Sequence, residues 1–427
     1  MMNKEIFASN NKRFFSTIWR KVLLFLSVFG PATITAMADN DAGGVATYSI
    51  AGAKLGYPIL FLLPIITLLL AITQEMGMRL TIITRRGLAD LIREKYGVRA
   101  ALFMFGALLI ANIGTLVTEL SAVKTTSAIF NISPIPAVIA IVLVSFVVIT
   151  RGNYKVTQNI MLLACLFFLA YIFSAFKARP DWGLATSNLI FPHGVDFTQS
   201  YMRDFLIIGM GVLGTTITPW GQFFISSFAS DKKIEKGKVG LSQLETYWGA
   251  FLTDFFSFFM IVATAATLYV NKINLVSGEQ AALAIQPFAG KMAGMLFAFG
   301  ILNAGFMGLV VVSLSTAYAF AEFFGVSGSL DDTFKQSKTF YILYGIQLLT
   351  AMLIAIFSSV SLFQIAVVTQ IINAVALPLV FYYLIKLTSD HELMGDFVNN
   401  KFQKWFAIVC SVIIVIASIF TVASIFL

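Results

Sequence analysis

Long apolar runs alternate with short polar connections along the whole chain. A helix needs roughly 20 apolar residues to cross the hydrocarbon core of a bilayer. Runs of that kind cover about 22–54, 57–82, 99–124, 134–150, 156–176, 204–228, 242–269, 288–322, 339–357, 361–386 and 405–427. The pattern predicts an all-α polytopic membrane protein with about eleven transmembrane helices in a single membrane domain over residues 1–427. The connection 85–99 (RRGLADLIREKYGVR) is amphipathic and expected at the cytoplasmic surface. Residues 178–204 form the longest external loop and 230–240 a basic internal one. No low-complexity segment or separate soluble domain interrupts the series.

Composition agrees with lipid as the solvent. The hydrophobic fraction is 58%, charged residues are 12% and Phe alone contributes 42 residues, whereas a soluble domain carries about a quarter charged residues. The net charge of +8 then matters through its placement, because Lys and Arg in loops set orientation. With a cytoplasmic N-terminus, 22 of these residues fall inside, starting with Lys4, Lys12, Arg13, Arg20 and Lys21 and including Arg79, and 7 fall outside. Eleven spans place the C-terminus outside. The expected location is the cell membrane, with no cleavable signal peptide. The basic residues form no single stripe, so nucleic acid is a poor partner. Cys165 and Cys410 lie inside apolar runs and read as small buried hydrophobes.

Two spans carry helix-breaking sequence. The first holds Gly30-Pro31 and then Ala38-Asp39-Asn40-Asp41-Ala42-Gly43-Gly44; the sixth holds Gly209, Gly211 and Gly214 followed by Thr215-Thr216-Ile217-Thr218-Pro219-Trp220. Proline lacks a backbone donor and clashes with the preceding turn, and glycine weakens helical preference. Unwound backbone at membrane depth survives only where protein or a watery cavity surrounds it. The breaks open two five-helix halves, about 22–176 and 204–386, with an extra helix at 405–427. A five-plus-five repeat brings both breaks to the midplane, where freed carbonyls can face a cation.

Acidic residues sharpen that expectation. Asp39, Asp41, Glu119 and Asp254 lie within spans, where an unpaired charge is costly, and no intramembrane Lys or Arg is placed to neutralise Asp39 or Asp41. A bound cation is the simplest counter-charge for Asp41. Asp39 either faces a vestibule or caps the second half-helix, and Glu119 either serves the ion path or is a protonated packing residue. Asp254 is the weaker candidate.

At these residues the sequence resembles the NRAMP family of divalent-metal transporters, which share the LeuT-like inverted-repeat fold with broken helices one and six. Gly30-Pro31-Ala32 followed by Asp41-Ala42-Gly43-Gly44 and Ala46-Thr47 is similar to the family's first helix with its Asp-Pro-Gly-Asn motif. Thr218-Pro219-Trp220 falls where the family has Met-Pro-His. Thr369-Gln370 and Ala376-Leu377-Pro378 resemble the tenth helix, and Arg86-Gly87-Leu88-Ala89-Asp90-Leu91 the conserved cytoplasmic connector. The resemblance implies metal-site positions at Asp41, the carbonyls of Ala38 and Thr215, and Gln370. Gly44 stands for the coordinating Asn, Thr218 for the Met and Trp220 for the His. Glu119 matches a family acid, and Leu116 stands where its companion is Asp.

Those departures carry chemistry. A thioether suits late transition metals, whereas oxygen ligands suit hard ions. Replacing Met by Thr218 removes the soft ligand, and Gly44 is expected to open space. Mg²⁺ gives up water reluctantly, so a roomy all-oxygen site points to partly hydrated Mg²⁺, with Mn²⁺ also passing, as in the family's magnesium-transporter branch. Indole cannot relay protons as imidazole does, and His193 and His391 lie in predicted loops. Uptake without proton coupling is expected, driven by the gradient and by voltage at roughly 2.3 kcal/mol per charge per 100 mV. A proton-coupled Mn²⁺/Fe²⁺ importer and an organic-solute symporter of the same fold remain alternatives. Trp220 either fills volume or walls the cavity. Asn373 and Gln222 either supply an oxygen or join helices. No enzyme activity, cofactor or obligate protein partner is expected.

Overall fold

The computed structural model describes residues 25–273, 275, 278–357 and 362–426, and every regular element among them is helical. The five basic residues of the N-terminal segment lie outside the described residues. Helix α1 (Pro31–Ala38) begins at Gly30, whose φ of 140° only glycine adopts without strain. Helix α2 (Ala42–Leu55) follows the break and ends at Gly56. A 3₁₀ turn at Tyr57–Phe61 feeds α3 (Leu62–Thr84), which stops where Arg85 turns left-handed.

Helix α4 (Leu88–Ile129) fuses the surface connector to a membrane span through a kink at Gly97, φ 84°. Helices α5 (Pro134–Arg151), α6 (Tyr154–Leu166) and α7 (Leu169–Lys177) complete the first half, with α6 and α7 acting as one span. The predicted external loop contains a short helix, α8 (Trp182–Ser187). In the second half come α9 (Gln199–Thr216), α10 (Pro219–Lys232) and α11 (Val239–Thr264), the last continued by a π-helical turn, Ala265–Tyr269. A further helix, α12 (Gly278–Ala289), precedes the run predicted at 288–322, which is α13 (Lys291–Phe324). Helices α14 (Lys338–Phe357), α15 (Leu362–Thr388), α16 (His391–Met394) and α17 (Lys401–Phe426) close the chain.

Nine helical stretches among the described residues are long and apolar enough to cross a membrane. The two pairs α1–α2 and α9–α10 are interrupted and supply the other two of the eleven predicted spans. Polarity is inverted relative to a soluble protein. Phe103, Ile110, Phe173 and Ile419 are exposed, while Asp39, Glu75, Glu119, Gln370 and Asn373 are fully buried. Only 22% of the apolar window of α5 and 28% of that of α17 is buried, against 72% around α11, so α5 and α17 face lipid and α11 is central. Helix α11 packs on α1, α2 and α3; α9 packs on α2 and α15; α10 on α3 and α13.

One expectation from charge counting is corrected here. Arg79 is 4% exposed and is no loop charge. It pairs with Glu75 one turn earlier (Nε to Oε1 2.7 Å) and donates to Asn399 and to the carbonyl of Phe397. Gln243 and Gln403 donate to Glu75 at 2.8 and 3.1 Å. The network fastens α3 to α11 and α17. Buried charge needs this density of partners, because one unpaired ion in the interior costs several kcal/mol.

Candidate functional site

The first break is built by two carboxylates. Beyond Ala38 the helical ladder requires the N–H of Ala42 to bond the Ala38 carbonyl and that of Gly43 to bond the Asp39 carbonyl. Glu119 of α4 takes both donors instead, Ala42 N at 2.9 Å and Gly43 N at 3.3 Å. Asp41 takes the next, Gly44 N at 2.6 Å. Carboxylates at a helix N-terminus satisfy orphan donors and complement the dipole, so α2 restarts at Ala42 and the two preceding carbonyls lose their helical donors. Gly308 of α13 makes room for Glu119, since a Cβ there would lie 2.7 Å from the carboxylate. Glu119 therefore has both oxygens engaged.

The second break is built by proline and threonine. The Thr215 carbonyl would bond the N–H of residue 219, but Pro219 has none. Thr218 caps α10, its Oγ1 accepting from Gly221 N at 3.0 Å and donating to Asp39 Oδ1 at 2.8 Å. Asp39 Oδ2 accepts from Gln74 Nε2 at 3.1 Å. Asp39 thus neither opens to a vestibule nor caps its own second half-helix; it sits at the N-terminus of the other one, fully buried, and joins the two breaks.

Several polar atoms remain unspent around Asp41. Its Oδ2, the Thr215 hydroxyl, Gln370 Nε2 and Asn373 Oδ1 are buried without a hydrogen-bond partner. A Cβ on Gly44 would lie 2.8 Å from Thr215 Oγ1, 3.0 Å from the Asp39 carbonyl and 3.3 Å from Asp41 Oδ1. A Cβ on Gly43 would lie 2.8 Å from Gln370 Nε2 and 3.3 Å from Asp41 Oδ1. Asp41, Thr215, Gln370 and the freed backbone of the first break are therefore neighbours. Gln370 accepts from Asn373 Nδ2 at 3.0 Å; turning both amides over keeps that bond and points the Gln370 oxygen inward, since either amide end can donate or accept.

Gly44 does not open space in this closed arrangement. The volume a side chain would take is already bounded by three oxygens, because the helix dipole and caps draw them together. Thr218 is less free than its position implies, its hydroxyl being committed to Asp39 and Gly221. Trp220 is fully buried, its carbonyl accepting from Ser315 Oγ at 2.8 Å and its ring nitrogen unpartnered. Gln222 donates to Thr73 at 3.4 Å and leaves its oxygen free. Asp254 accepts from Thr67 at 2.5 Å. Both histidines lie outside the spans. Among the described residues no three His, Cys, Asp or Glu side chains cluster as a metal site, so a cation here depends on carbonyl, hydroxyl and amide oxygens with Asp41.

Some contributors escaped the sequence reading. The hydroxyl of Thr215, the carbonyl of Asp39 and the side chain of Gln74 all belong to the site. Thr73-Gln74-Glu75, a polar triplet inside an apolar run, was the visible signal for the last. Glu245 was also missed: its Oε1 accepts from Gly30 N at 2.7 Å and Thr33 N at 3.1 Å and caps α1.

Comparison with known proteins agrees with this architecture. The family profile described as natural resistance-associated macrophage protein-like (Nramp) matches residues 32–424. The chain is 23% identical over 410 residues to the divalent metal cation transporter MntH of Granulibacter bethesdensis, covering 93% of this chain and 87% of that protein. It is 25% identical over 404 residues to MntH of Ralstonia nicotianae, covering 90% and 87%. In structure it is similar to the Eremococcus coleocola manganese transporter, with TM-score 0.79, 19% identity and coverage of 95% of this chain and 87% of that one. A Na⁺-coupled sialic acid symporter aligns with TM-score 0.59 at 14% identity, over 92% and 89% of the two chains.

Proposed function

The chain belongs to the Nramp family and is an integral multi-pass membrane transporter of divalent metal cations; from that premise we propose that its cargo is partly hydrated Mg²⁺, with Mn²⁺ also carried, moved by alternating access without proton coupling. One observation carries the reading. Of the three acids at the breaks, Asp39 and Glu119 have both oxygens bonded, and Asp41 alone keeps an orphan oxygen, Oδ2, with an unpartnered hydroxyl and amide beside it. A buried carboxylate oxygen without a partner costs several kcal/mol unless a cation meets it.

The ligands offered are Asp41, the carbonyls of Ala38, Asp39 and Thr215, the Thr215 hydroxyl and Gln370. All are hard oxygens, the donors Mg²⁺ takes. Position 218, where the family's thioether stands, holds a hydroxyl spent on Asp39. The site is buried on every side, so entry of an ion with its water requires the half-helices to part. Support for uncoupled transport comes from Glu119, whose carboxylate serves as a helix cap, from Trp220 in the histidine position, and from the absence of histidine in the spans. A cytoplasmic N-terminus and external C-terminus complete the proposal.

The test is Mg²⁺ uptake into liposomes, with Mn²⁺, Ca²⁺ and Cd²⁺ as competitors and lumenal pH followed in parallel. Saturable Mg²⁺ uptake, weak Cd²⁺ competition and constant pH are expected. Strong competition by micromolar Cd²⁺, with metal-driven acidification that Glu119→Gln abolishes, would establish a proton-coupled transition-metal importer instead.

A further inference from the structure

We infer that the carboxylate of Asp39 determines specificity without touching the ion: it is a fixed second negative charge, held outside the coordination shell by Thr218 and Gln74, and it favours a divalent cation that keeps water. The inference rests on the cargo reading above and deepens it.

The geometry separates the two halves of Asp39. Its carbonyl belongs to the oxygen group beside Gly44, 3.0 Å from the position of a Cβ there. Its carboxylate points the other way, toward α10. Oδ1 takes the Thr218 hydroxyl at 2.8 Å, Oδ2 takes Gln74 Nε2 at 3.1 Å, and a Cβ on Gly221 would lie 3.2 Å from Oδ1. With both oxygens bonded and the α10 dipole behind it, the carboxylate is anchored on a residue whose own carbonyl belongs to the ion's oxygens. No ion pair of Asp39 or Asp41 with Lys, Arg or His occurs among the described residues. A divalent ion at Asp41 meets one negative charge by contact and needs a second from nearby.

Distance makes that second charge selective. Coulomb energy falls only as the reciprocal of separation, whereas a coordination bond requires contact. An ion that sheds its water gains mainly from direct ligands, and Mg²⁺, which dehydrates reluctantly, gains relatively more from charge beyond contact. Asp39 also explains why Thr218 is free of metal duty: its hydroxyl orients the counter-charge.

The test compares KM for Mg²⁺ and Mn²⁺ in proteoliposomes of the full chain. Asp39→Asn removes the charge and keeps both bonds, because the Asn oxygen can accept from Thr218 and its amide can donate to Gln74 Oε1, now unpartnered. It is expected to raise KM for Mg²⁺ about tenfold and for Mn²⁺ by at most about threefold, with maximal rate nearly unchanged. Thr218→Val removes the bond and keeps the charge, and should shift KM less. Gln74→Lys places a cation against an intact Asp39 and should reproduce the loss of Mg²⁺ preference, which covers failure of Asp39→Asn to fold. Equal shifts for the two ions, no shift, or a full effect from Thr218→Val would each overturn the inference and leave the cargo reading standing. A wild-type protein that carries Mn²⁺ and no Mg²⁺ overturns both.

Discussion

The two breaks solve one problem with different chemistry. Each stops a helix inside a predicted span and restarts it within about a turn, leaving carbonyls without their helical donors. At the first, carboxylates take the donors of α2: Glu119 holds Ala42 and Gly43, and Asp41 holds Gly44. At the second, the donor is missing from the outset because residue 219 is proline, and a hydroxyl caps α10 with Asp39 behind it. The first break is charged and the second is neutral, and the neutral one borrows its anion from the first. An acid inside a membrane span is therefore no direct sign of a metal. Glu119 is satisfied by the N-terminus of α2 and Asp39 by Thr218 and Gln74, and of these three acids at the breaks Asp41 alone is left with an oxygen that no described group answers.

The contrast can be broken by substitutions of graded severity. Asp41→Ala should have the largest effect, weakening Mg²⁺ uptake by more than about a hundredfold, since it removes the one charged ligand; undiminished initial rates would sink the site assignment. Gly44→Ala comes next. Its Cβ would press on Thr215, the Asp39 carbonyl and Asp41, and uptake should fall about 10- to 100-fold. The same change raises helix propensity by up to about 1 kcal/mol, so the melting temperature should hold while transport is lost. Glu119→Gln places an amide where two N–H groups need acceptors, and one orphaned donor costs about 1–3 kcal/mol. A matching fall in thermal stability is expected. Thr218→Val at the neutral break removes an N-cap worth about 1 kcal/mol and also leaves Asp39 Oδ1 without its donor, so it should destabilise about as much as Glu119→Gln; a much smaller fall in melting temperature would show that the Thr218–Asp39 bond does not tie the two breaks together.

How much of this was legible beforehand follows from the range of each interaction. The spans were visible because apolar length is a local property. Both breaks were visible because Gly and Pro act on their own backbone, and Asp41 stood out by its place beside them. The roles of the other acids were not visible. Glu119 contacts residues 76 and 77 positions away, and Thr218 contacts Asp39 across 179. Nothing local distinguishes a carboxylate that caps a distant helix from one that binds an ion. Arg79 looked like a boundary charge because a count of loop residues cannot see it paired with Glu75, which Gln243 and Gln403 hold in place.

By itself, the sequence determined that this chain lives in lipid, where its helices cross, and where two of them must stop, since hydrophobic run length and backbone chemistry need no tertiary partner. The tertiary structure decided which acids are already answered, that Gly44 is hemmed in by oxygens, and that Thr218 serves Asp39. Those outcomes depend on which helix N-terminus and which buried oxygen are brought within hydrogen-bonding distance, and packing alone settles that.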